Sequence, residues 1–293
     1  MPPKTFFDLD LCVLAALRLF TYTRPAPLSF PFKRPLVVGS GNALVTGKIL
    51  FDDKDAVFAD EGNYEEKLKI VRNIDGAVLI SASGGKHAPQ IAQELGKKNI
   101  RTILLTNNPK APALESVHET IFFPKQTELY TYNTSTYLGM ILAKSKEDPQ
   151  NILNYISQIK VPQNLRKYNA YCIIIPPEFE LIREMFLTKF DELFGPMMVG
   201  RVFTSEQIKH AKTLVPSEKE LFIGLGFENK LYGTNRFNLK LPAEADYGMM
   251  MAVAYYIIGH IQKQHPPYFK RNIEKYCQKA SKLFGQAISP IVD

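Results

Sequence analysis

The stretch DGAVLISASGGK, residues 75–86, decides the fold class of this chain. Residues 76–80 form a continuous apolar run, which predicts a strand that is buried on both faces. Small polar residues and two glycines follow at once, and residues 89–98 then have the composition of a helix that ends near Gly96. A buried strand, a tight turn and a helix in this order are typical of a parallel α/β sheet.

The same alternation extends along the chain in both directions. Further strands are predicted at residues 35–39, 56–59, 102–106, 120–123, 170–175 and 221–225. Helices are predicted at residues 42–51, 64–72, 134–144, 152–159, 178–194, 205–213, 247–262 and 268–284. Because continuous apolar strands alternate with helices, the sequence predicts an α/β protein built on doubly wound parallel sheets.

Changes in composition place the domain boundaries. We predict an N-terminal helix with a proline-rich connector, a first α/β domain, a linker helix, and a second, weaker α/β domain that ends in helices. These segments are residues 1–35, 36–145, 146–169 and 170–293. The apolar run at residues 11–20 contains Arg18, is too short to cross a bilayer, and lacks the flanking features of a signal peptide. We therefore predict that it is a helix packed on the body of the protein.

The overall composition excludes several classes of protein. Of the 293 residues, 45% are hydrophobic and 22% are charged, as in a folded globular protein. The formal net charge of +7 is spread along the chain, which disfavours a nucleic-acid partner and fits a preference for small anionic ligands. The three cysteines, Cys12, Cys172 and Cys277, are far apart, so they predict neither disulfides nor a metal site and fit a reducing cytoplasm.

The loop Ser81-Ala82-Ser83-Gly84-Gly85-Lys86 has the composition of an anion-binding turn. It precedes a helix, whose first N–H groups and dipole favour a phosphate. The two serines add hydroxyl donors, the two glycines allow close backbone approach, and the lysine adds a positive charge. The spacing is not that of a P-loop, and the turn at residues 39–42 lacks the third glycine of a dinucleotide fingerprint. A plain helix cap with a tight turn is the alternative interpretation.

Residues 75–124 resemble the sugar isomerase (SIS) domain family, which includes the isomerase half of glucosamine-6-phosphate synthase and the phosphoglucose/phosphomannose isomerases. In that family a Ser-x-Ser-Gly turn holds the sugar phosphate; Ser81 and Ser83 match its serines, while Lys86 stands where a threonine is usual. GSGNALVTGKILF (39–51), TNNPKAPALES (106–116) and ELYTYNTSTYLGMIL (128–142) match further family segments in the same order. The resemblance implies substrate contacts by Ser40, Gly41, Asn42, Ser81, Ser83, Gly84, Lys86 and Ser135.

The second half resembles the same family more faintly. EFELIREMFLTKFDELFG (178–195) and SEQIKHAKTLVPSEKELFIGLG (205–226) are similar to parts of a second SIS domain. Twin SIS domains with a helical tail are the family's usual arrangement. Pro176 and Pro177 stand where small flexible residues are expected, which predicts that this divergent copy has lost its own phosphate loop.

The resemblance also implies the catalytic groups of an aldose–ketose isomerase, which needs a base to move a proton between adjacent carbons and a group to open the ring. By position, Glu192 is implied as the base, with Asp191 as the alternative, and His210 as the ring-opening group. In the family this histidine often comes from the neighbouring subunit, so a homodimer is implied. No cofactor and no metal are expected.

Plainer interpretations stay open for the same residues. Glu192 can be a solvated carboxylate at a helix end, and His210 an ordinary surface histidine. His87 beside the loop is either a ligand contact or a first-turn residue of a helix. Lys263 and Lys270 resemble the lysine-bearing tail that closes some family sites.

Two functions remain after these exclusions. The first is a phosphosugar isomerase with a sugar phosphate as its substrate. The second is a sugar-phosphate sensor or regulator that keeps the fold without the chemistry, and it is favoured by Lys125, which stands where some family isomerases carry an arginine. A nucleotide-binding Rossmann protein is disfavoured by the glycine spacing. Neither a membrane nor nucleic acid is expected as a partner.

Overall fold

The first sheet of the computed structural model, which describes residues 6–292, contains five strands that all run parallel. Their order is β2-β1-β3-β4-β5. They span Pro35–Val38 (β1), Val57–Ala59 (β2), Gly76–Ile80 (β3), Thr102–Thr106 (β4) and Glu119–Phe122 (β5). The three central strands are buried at every residue, as their apolar runs predicted.

The connections of this sheet fix where a ligand can bind. They are α2 (Asn42–Leu50), α3 (Tyr64–Ile70) and α4 (Ala88–Lys97), which follow β1, β2 and β3 in turn. The chain leaves β1 toward β2 on one side and returns to β3 on the other. The strand order therefore reverses between β1 and β3, and such a reversal opens a crevice at the carboxyl ends of the strands.

The second sheet has four parallel strands in the order β10-β9-β7-β8. They span Ala170–Ile175 (β7), Val199–Thr204 (β8), Glu220–Leu225 (β9) and Asn235–Leu239 (β10). The strands β8 and β10 were not predicted. The helix predicted at 178–194 begins with a 3₁₀ segment, Pro177–Ile182, and continues as α7, Arg183–Phe194.

The helix predicted at residues 205–213 is wrong. Only one 3₁₀ turn, Gln207–Lys209, forms there. Thr204 and Gln207 exchange hydrogen bonds between backbone and side chain at its start, and Ala211 has a positive φ of 56° just after it. These hydrogen bonds and the positive φ of Ala211 limit the helix to a single 3₁₀ turn.

Helices fill the space between the two sheets and complete the molecule. They are α1 (Leu9–Tyr22), α5 (Thr134–Ser145), α6 (Pro149–Ser157), α8 (Tyr247–Gln264) and α9 (Tyr268–Phe284). A short antiparallel pair joins β6 (Glu128–Leu129) to β11 (Ile291–Val292). One large hydrophobic core combines the inner faces of both sheets with the apolar faces of α1, α2, α5, α7 and α8, and two smaller cores cover the outer faces. Because one core is common to both sheets, the predicted division into domains stays a prediction.

The N-terminal helix packs on the body of the protein, as its pattern predicted. Leu9, Val13 and Leu17 are fully buried. The backbone N–H of Leu9 donates to Gln262 Oε1 of α8 over 2.9 Å. Within residues 6–292, no helix combines the length and the apolar character that crossing a membrane would require.

Candidate functional site

A cavity of about 530 Å³ opens at the carboxyl ends of the first sheet's strands, at the reversal of strand order. Turns after β1, β2, β3 and β4 form its floor, and side chains of α7 and α9 form part of its wall. Of the predicted site residues, it is lined by Ser40, Gly41, Asn42, Ser81, Ser83, Lys86 and Glu192. The predicted residues Gly84, Ser135 and His210 do not line it.

The serine loop is held rigid by its own hydrogen bonds. Ser81 Oγ accepts from the backbone N–H of Gly84 (3.1 Å), and Ser83 Oγ accepts from that of Gly85 (3.3 Å). Asn108 Nδ2 donates to the carbonyl oxygen of Ser83 over 2.8 Å and ties the loop to the residues after β4. Each serine oxygen thus accepts one hydrogen bond, and its hydroxyl hydrogen can donate to a ligand.

Gly84 shapes the loop and does not face the ligand space. Its φ is +58°, and a Cβ added there would lie 2.4 Å from Cβ of Ala111. Both the backbone conformation and the close approach therefore require glycine. Lys86 also has a positive φ, +53°, which is uncommon for a residue with a side chain.

The turn after β1 adds a second polar wall. The Ser40 hydroxyl donates to the carboxylate of Glu61, which follows β2 and lines the cavity. Gly41 has a φ of 53°, and Asn42 begins α2. Glu61 was not predicted, although its place just after a strand at the same sheet edge is a signal that the sequence contained.

Three oxygens of cavity-lining side chains are buried and have no hydrogen-bond partner within residues 6–292. They are Asn42 Oδ1, Tyr130 Oη and Thr131 Oγ1. Buried polar atoms nearly always have a partner. Three such atoms beside one cavity favour a ligand that is rich in hydroxyl groups.

Glu192 reaches the cavity from α7 and is paired with a buried lysine. Lys189 Nζ lies 2.6 Å from Glu192 Oε2 and also donates to the carbonyl oxygen of Thr131 over 2.9 Å. The Lys189 side chain has no exposed surface, whereas that of Glu192 is 25% exposed. Burial raises the pKa of Glu192 above its ordinary value, and the charge of Lys189 opposes that rise. A carboxylate with a raised pKa that faces a cavity has the properties of a general base.

Lys189 was not predicted as a site residue. The signal was its i,i+3 spacing from Glu192 on a helix, which places the two side chains on one face. Lysine is common on exposed helix faces, and only the packing shows this one to be buried.

Ser135 lies at the start of α5, where its hydroxyl is hydrogen-bonded to Glu128. Its hydroxyl donates to Glu128 Oε1 over 2.7 Å, and the same carboxylate accepts from the backbone N–H groups of Thr134 (2.8 Å) and Ser135 (3.3 Å). Burial raises the pKa of Glu128, and these hydrogen bonds oppose the rise. The N-terminus of α5 is therefore satisfied within the protein.

The remaining predicted residues lie in different places. His210 is exposed, just after the 3₁₀ turn that follows β8. His87 lines the cavity, as does Lys125. Lys263 and Lys270 form ion pairs with Asp10 and Asp8 and do not line the cavity. Among the described residues, no three His, Cys, Asp or Glu side chains lie close enough together to hold a metal ion.

Comparison with known proteins places this geometry in a known fold. No protein-family model and no curated protein matches the sequence. The C-terminal domain of glucosamine-fructose-6-phosphate aminotransferase from Francisella tularensis superposes with a TM-score of 0.61 at 12% identity, over 87% of this chain and 94% of that one. Glucosamine-6-phosphate deaminase from Thermotoga maritima gives 0.58 at 15% identity, over 87% and 91%. Tagatose-6-phosphate ketose/aldose isomerase from Escherichia coli gives 0.58 at 10% identity, over 88% and 92%.

These similarities extend over nearly the whole of each chain, so they concern the complete arrangement of two parallel sheets and the helices around them. Identities of 10–15% carry information on the fold alone. The resemblance seen in the sequence is confirmed at that level: the chain has the SIS-type fold of phosphosugar isomerases.

Proposed function

We propose that this protein is a phosphosugar isomerase that interconverts an aldose phosphate and a ketose phosphate. One observation carries the proposal: Glu192 and the serine loop line the same cavity, although they come from opposite halves of the chain. An anion-binding turn and a partly buried carboxylate with a raised pKa are the two parts that this reaction needs.

The phosphate binds at the loop after β3. Ser81 and Ser83 donate their hydroxyl hydrogens to it, Lys86 adds a positive charge, and the N-terminal end of α4 adds a favourable dipole. The sugar extends toward Ser40, Asn42 and the unpartnered oxygens of Tyr130 and Thr131.

Glu192 acts as the base. Its carboxylate takes the proton from the carbon next to the carbonyl, the electron pair of that C–H bond forms the C=C bond of an enediolate, and the carbonyl π electrons go to the carbonyl oxygen. The proton is then delivered to the former carbonyl carbon, while the hydroxyl proton passes to the former carbonyl oxygen and the other oxygen becomes the new carbonyl. Lys189 does not line the cavity, so we assign it as a positioning residue that holds the Glu192 carboxylate in one orientation.

Ring opening is assigned to His210 of a second copy in a homodimer. Within one chain His210 is exposed and outside the cavity, so it can act only from a neighbouring subunit. The same placement favours a second candidate function, a sugar-phosphate sensor that binds without catalysis.

The binding half of the proposal is tested by a thermal-shift screen with hexose, pentose and amino-sugar phosphates, followed by calorimetry. Each hydrogen bond to a charged group contributes about 1.5–3 kcal/mol, so Ser83→Ala should weaken the best ligand about tenfold or more. Ser157→Ala, on the exposed end of α6, is the matched control and should bind as the unmodified protein does. An unchanged affinity in Ser83→Ala removes the serine loop from the proposal.

The catalytic half is tested by deuterium exchange at the carbon next to the carbonyl, followed by NMR. General acid–base groups contribute about 10²–10⁴-fold, so Glu192→Gln should abolish exchange and leave binding nearly intact. Asp191→Asn, on the exposed side of α7, tests the alternative base. If the unmodified protein binds a sugar phosphate tightly but shows no deuterium exchange, the sensor function is supported and the isomerase function is not. Exchange that survives Glu192→Gln but not Asp191→Asn moves the base to Asp191.

A further inference from the structure

Lys86 of the serine loop lies against two aromatic rings from distant parts of the chain. Its ammonium nitrogen is 4.3 Å from the ring centre of Phe284 and 5.3 Å from that of Tyr130. Both distances are within the range of a cation–π interaction. Lys86 takes part in none of the ion pairs formed within residues 6–292.

Lys86 and Lys189 are therefore held in different ways. Lys189 is paired with a carboxylate 2.6 Å away, so its charge is largely cancelled. An aromatic ring attracts an ammonium through its quadrupole and carries no net charge. Lys86 is thus held in place with its full positive charge available to a bound anion.

The rings themselves are fixed by the C-terminal segment. Phe284 is the last residue of α9, and Tyr130 directly follows β6. The backbone N–H of Tyr130 donates to the carbonyl oxygen of Pro290 over 2.9 Å, and β6 pairs with β11 beside it. The segment after α9 is thereby anchored to β6 and to Tyr130, the residue that follows it, and Gln286 of this segment lies beside Gly85 of the serine loop.

Lys86 carries two free-energy costs, one in its backbone conformation and one in its side chain. Its φ of +53° lies in the left-handed region, which costs free energy for a residue with a side chain. A long flexible side chain also loses rotamer freedom when it binds a ligand. Rings that hold the ammonium before the ligand arrives reduce that second cost.

We propose that Phe284 and Tyr130 are positioning residues for phosphate binding, which hold the Lys86 ammonium beside Ser81 and Ser83. This inference rests on the proposed function, because it takes the serine loop as the phosphate site. It requires that Phe284 acts on the ligand through Lys86 and only through it.

A double-mutant cycle tests that requirement. The variants are Lys86→Met, Phe284→Leu, which removes the ring and keeps apolar bulk, and the two combined. Calorimetry with inorganic phosphate and with fructose 6-phosphate measures the dissociation constants. We expect Phe284→Leu to weaken both ligands about 3- to 10-fold. In the Lys86→Met background, the same change should have no further effect.

Two further variants separate positioning from general damage to the fold. Phe284→Tyr keeps the ring and should bind as the unmodified protein does. Leu283→Ala changes a neighbour that is 78% exposed and should also leave binding unchanged.

Each other outcome overturns the inference. If Phe284→Leu causes the same loss with and without Lys86, the ring does not act through the ammonium. If Ser83→Ala weakens binding but Phe284→Leu does not, the phosphate site stands and this inference falls alone. If the unmodified protein binds neither ligand and no other sugar phosphate, the proposed function falls with it.

Discussion

The ion pair between Lys189 and Glu192 is the residue-scale feature on which catalysis would depend. Glu192 must be ionised to accept a proton, and burial raises its pKa while Lys189 holds it down. A raised pKa means that the folded state favours the protonated carboxyl. The stability gained from that protonation is present below the pKa of the unfolded chain and is lost as the pH rises through the higher pKa of the folded state.

Removal of the lysine should therefore move the acidic limb of the pH profile. In Lys189→Met nothing opposes the effect of burial, so the pKa of Glu192 rises and the acidic limb of kcat/KM should shift to higher pH. The measurement is kcat/KM against pH for both proteins, with circular dichroism at each pH as the check on folding.

The free energy of unfolding supplies an independent check of the same variant. Relative to the unmodified protein, Lys189→Met should lose more stability at pH 8 than at pH 5, because the ionised and partly buried Glu192 then lacks its partner. If the acidic limb of kcat/KM does not shift in Lys189→Met, Lys189 does not control the charge of Glu192.

At the scale of elements, the packing of α1 on α8 depends on one glycine. A Cβ at Gly259 would lie 2.1 Å from the backbone nitrogen of Asp10, closer than any real contact allows. Gly259→Ala must push the two helices apart and should cost about 1–3 kcal/mol or more.

A glycine-to-alanine substitution in α4 is the matched control, and we expect it to change the free energy of unfolding in the opposite direction. Gly96 lies in a helix, and a Cβ there would meet nothing within 4 Å. Gly96→Ala should therefore stabilise the protein by about 0.5–1 kcal/mol, since alanine is the better helix former. Urea unfolding of both variants measures the difference, and equal effects at the two positions would contradict the packing argument.

Elements whose burial is complete could be predicted from the sequence. The strand β3 and the loop after it were recognised because an apolar run on both faces leaves few alternatives. The strand β10 was missed because its side chains alternate between exposed and half-buried positions at the edge of a sheet, so it has no apolar run. The strand β8 was missed because Gly200 and Arg201 interrupt it, and its register comes from pairing with β7.

The residue pattern itself pointed to the candidate site where it follows a strand, whereas Glu192 on α7 was named from the family resemblance. Ser81, Ser83 and Ser40 stand at the carboxyl ends of β3 and β1, so one parallel sheet brings them together. Ser135 was placed at the cavity because its segment resembles a family helix whose start lies near the ligand, but Glu128 occupies that helix start. The partnership of Lys189 with Thr131 joins residues that are 58 positions apart, and no local pattern encodes it.

At the scale of the whole molecule, the proposed homodimer predicts that each complete active site contains residues from two chains. If His210 serves the cavity of its neighbour, His210→Ala and Glu192→Gln each inactivate every site of their own homodimer. Mixed dimers would contain one site with both residues intact. After unfolding and joint refolding, random pairing should restore about a quarter of the unmodified activity.

The measurement is the deuterium-exchange rate of the mixture against that of each variant alone, with light scattering to establish the dimer. Refolding of each variant by itself controls for the procedure. No recovery in a mixture of dimers would remove His210 from the site, and a monomer at micromolar concentration would remove the homodimer.

The contact between α1 and α8 also has a consequence for synthesis of the protein. Leu9 and Gln262, which it joins, are 253 positions apart. At ribosomal rates of about 5–20 residues per second, that separation corresponds to about 10–50 s of translation. For that time α1 lacks its contact with α8, so the part of its apolar face around Leu9 is uncovered on the nascent chain, although α5 and α6, which also pack on α1, have already been made. We expect the yield of folded protein to depend on chaperones that cover this helix until α8 leaves the ribosome.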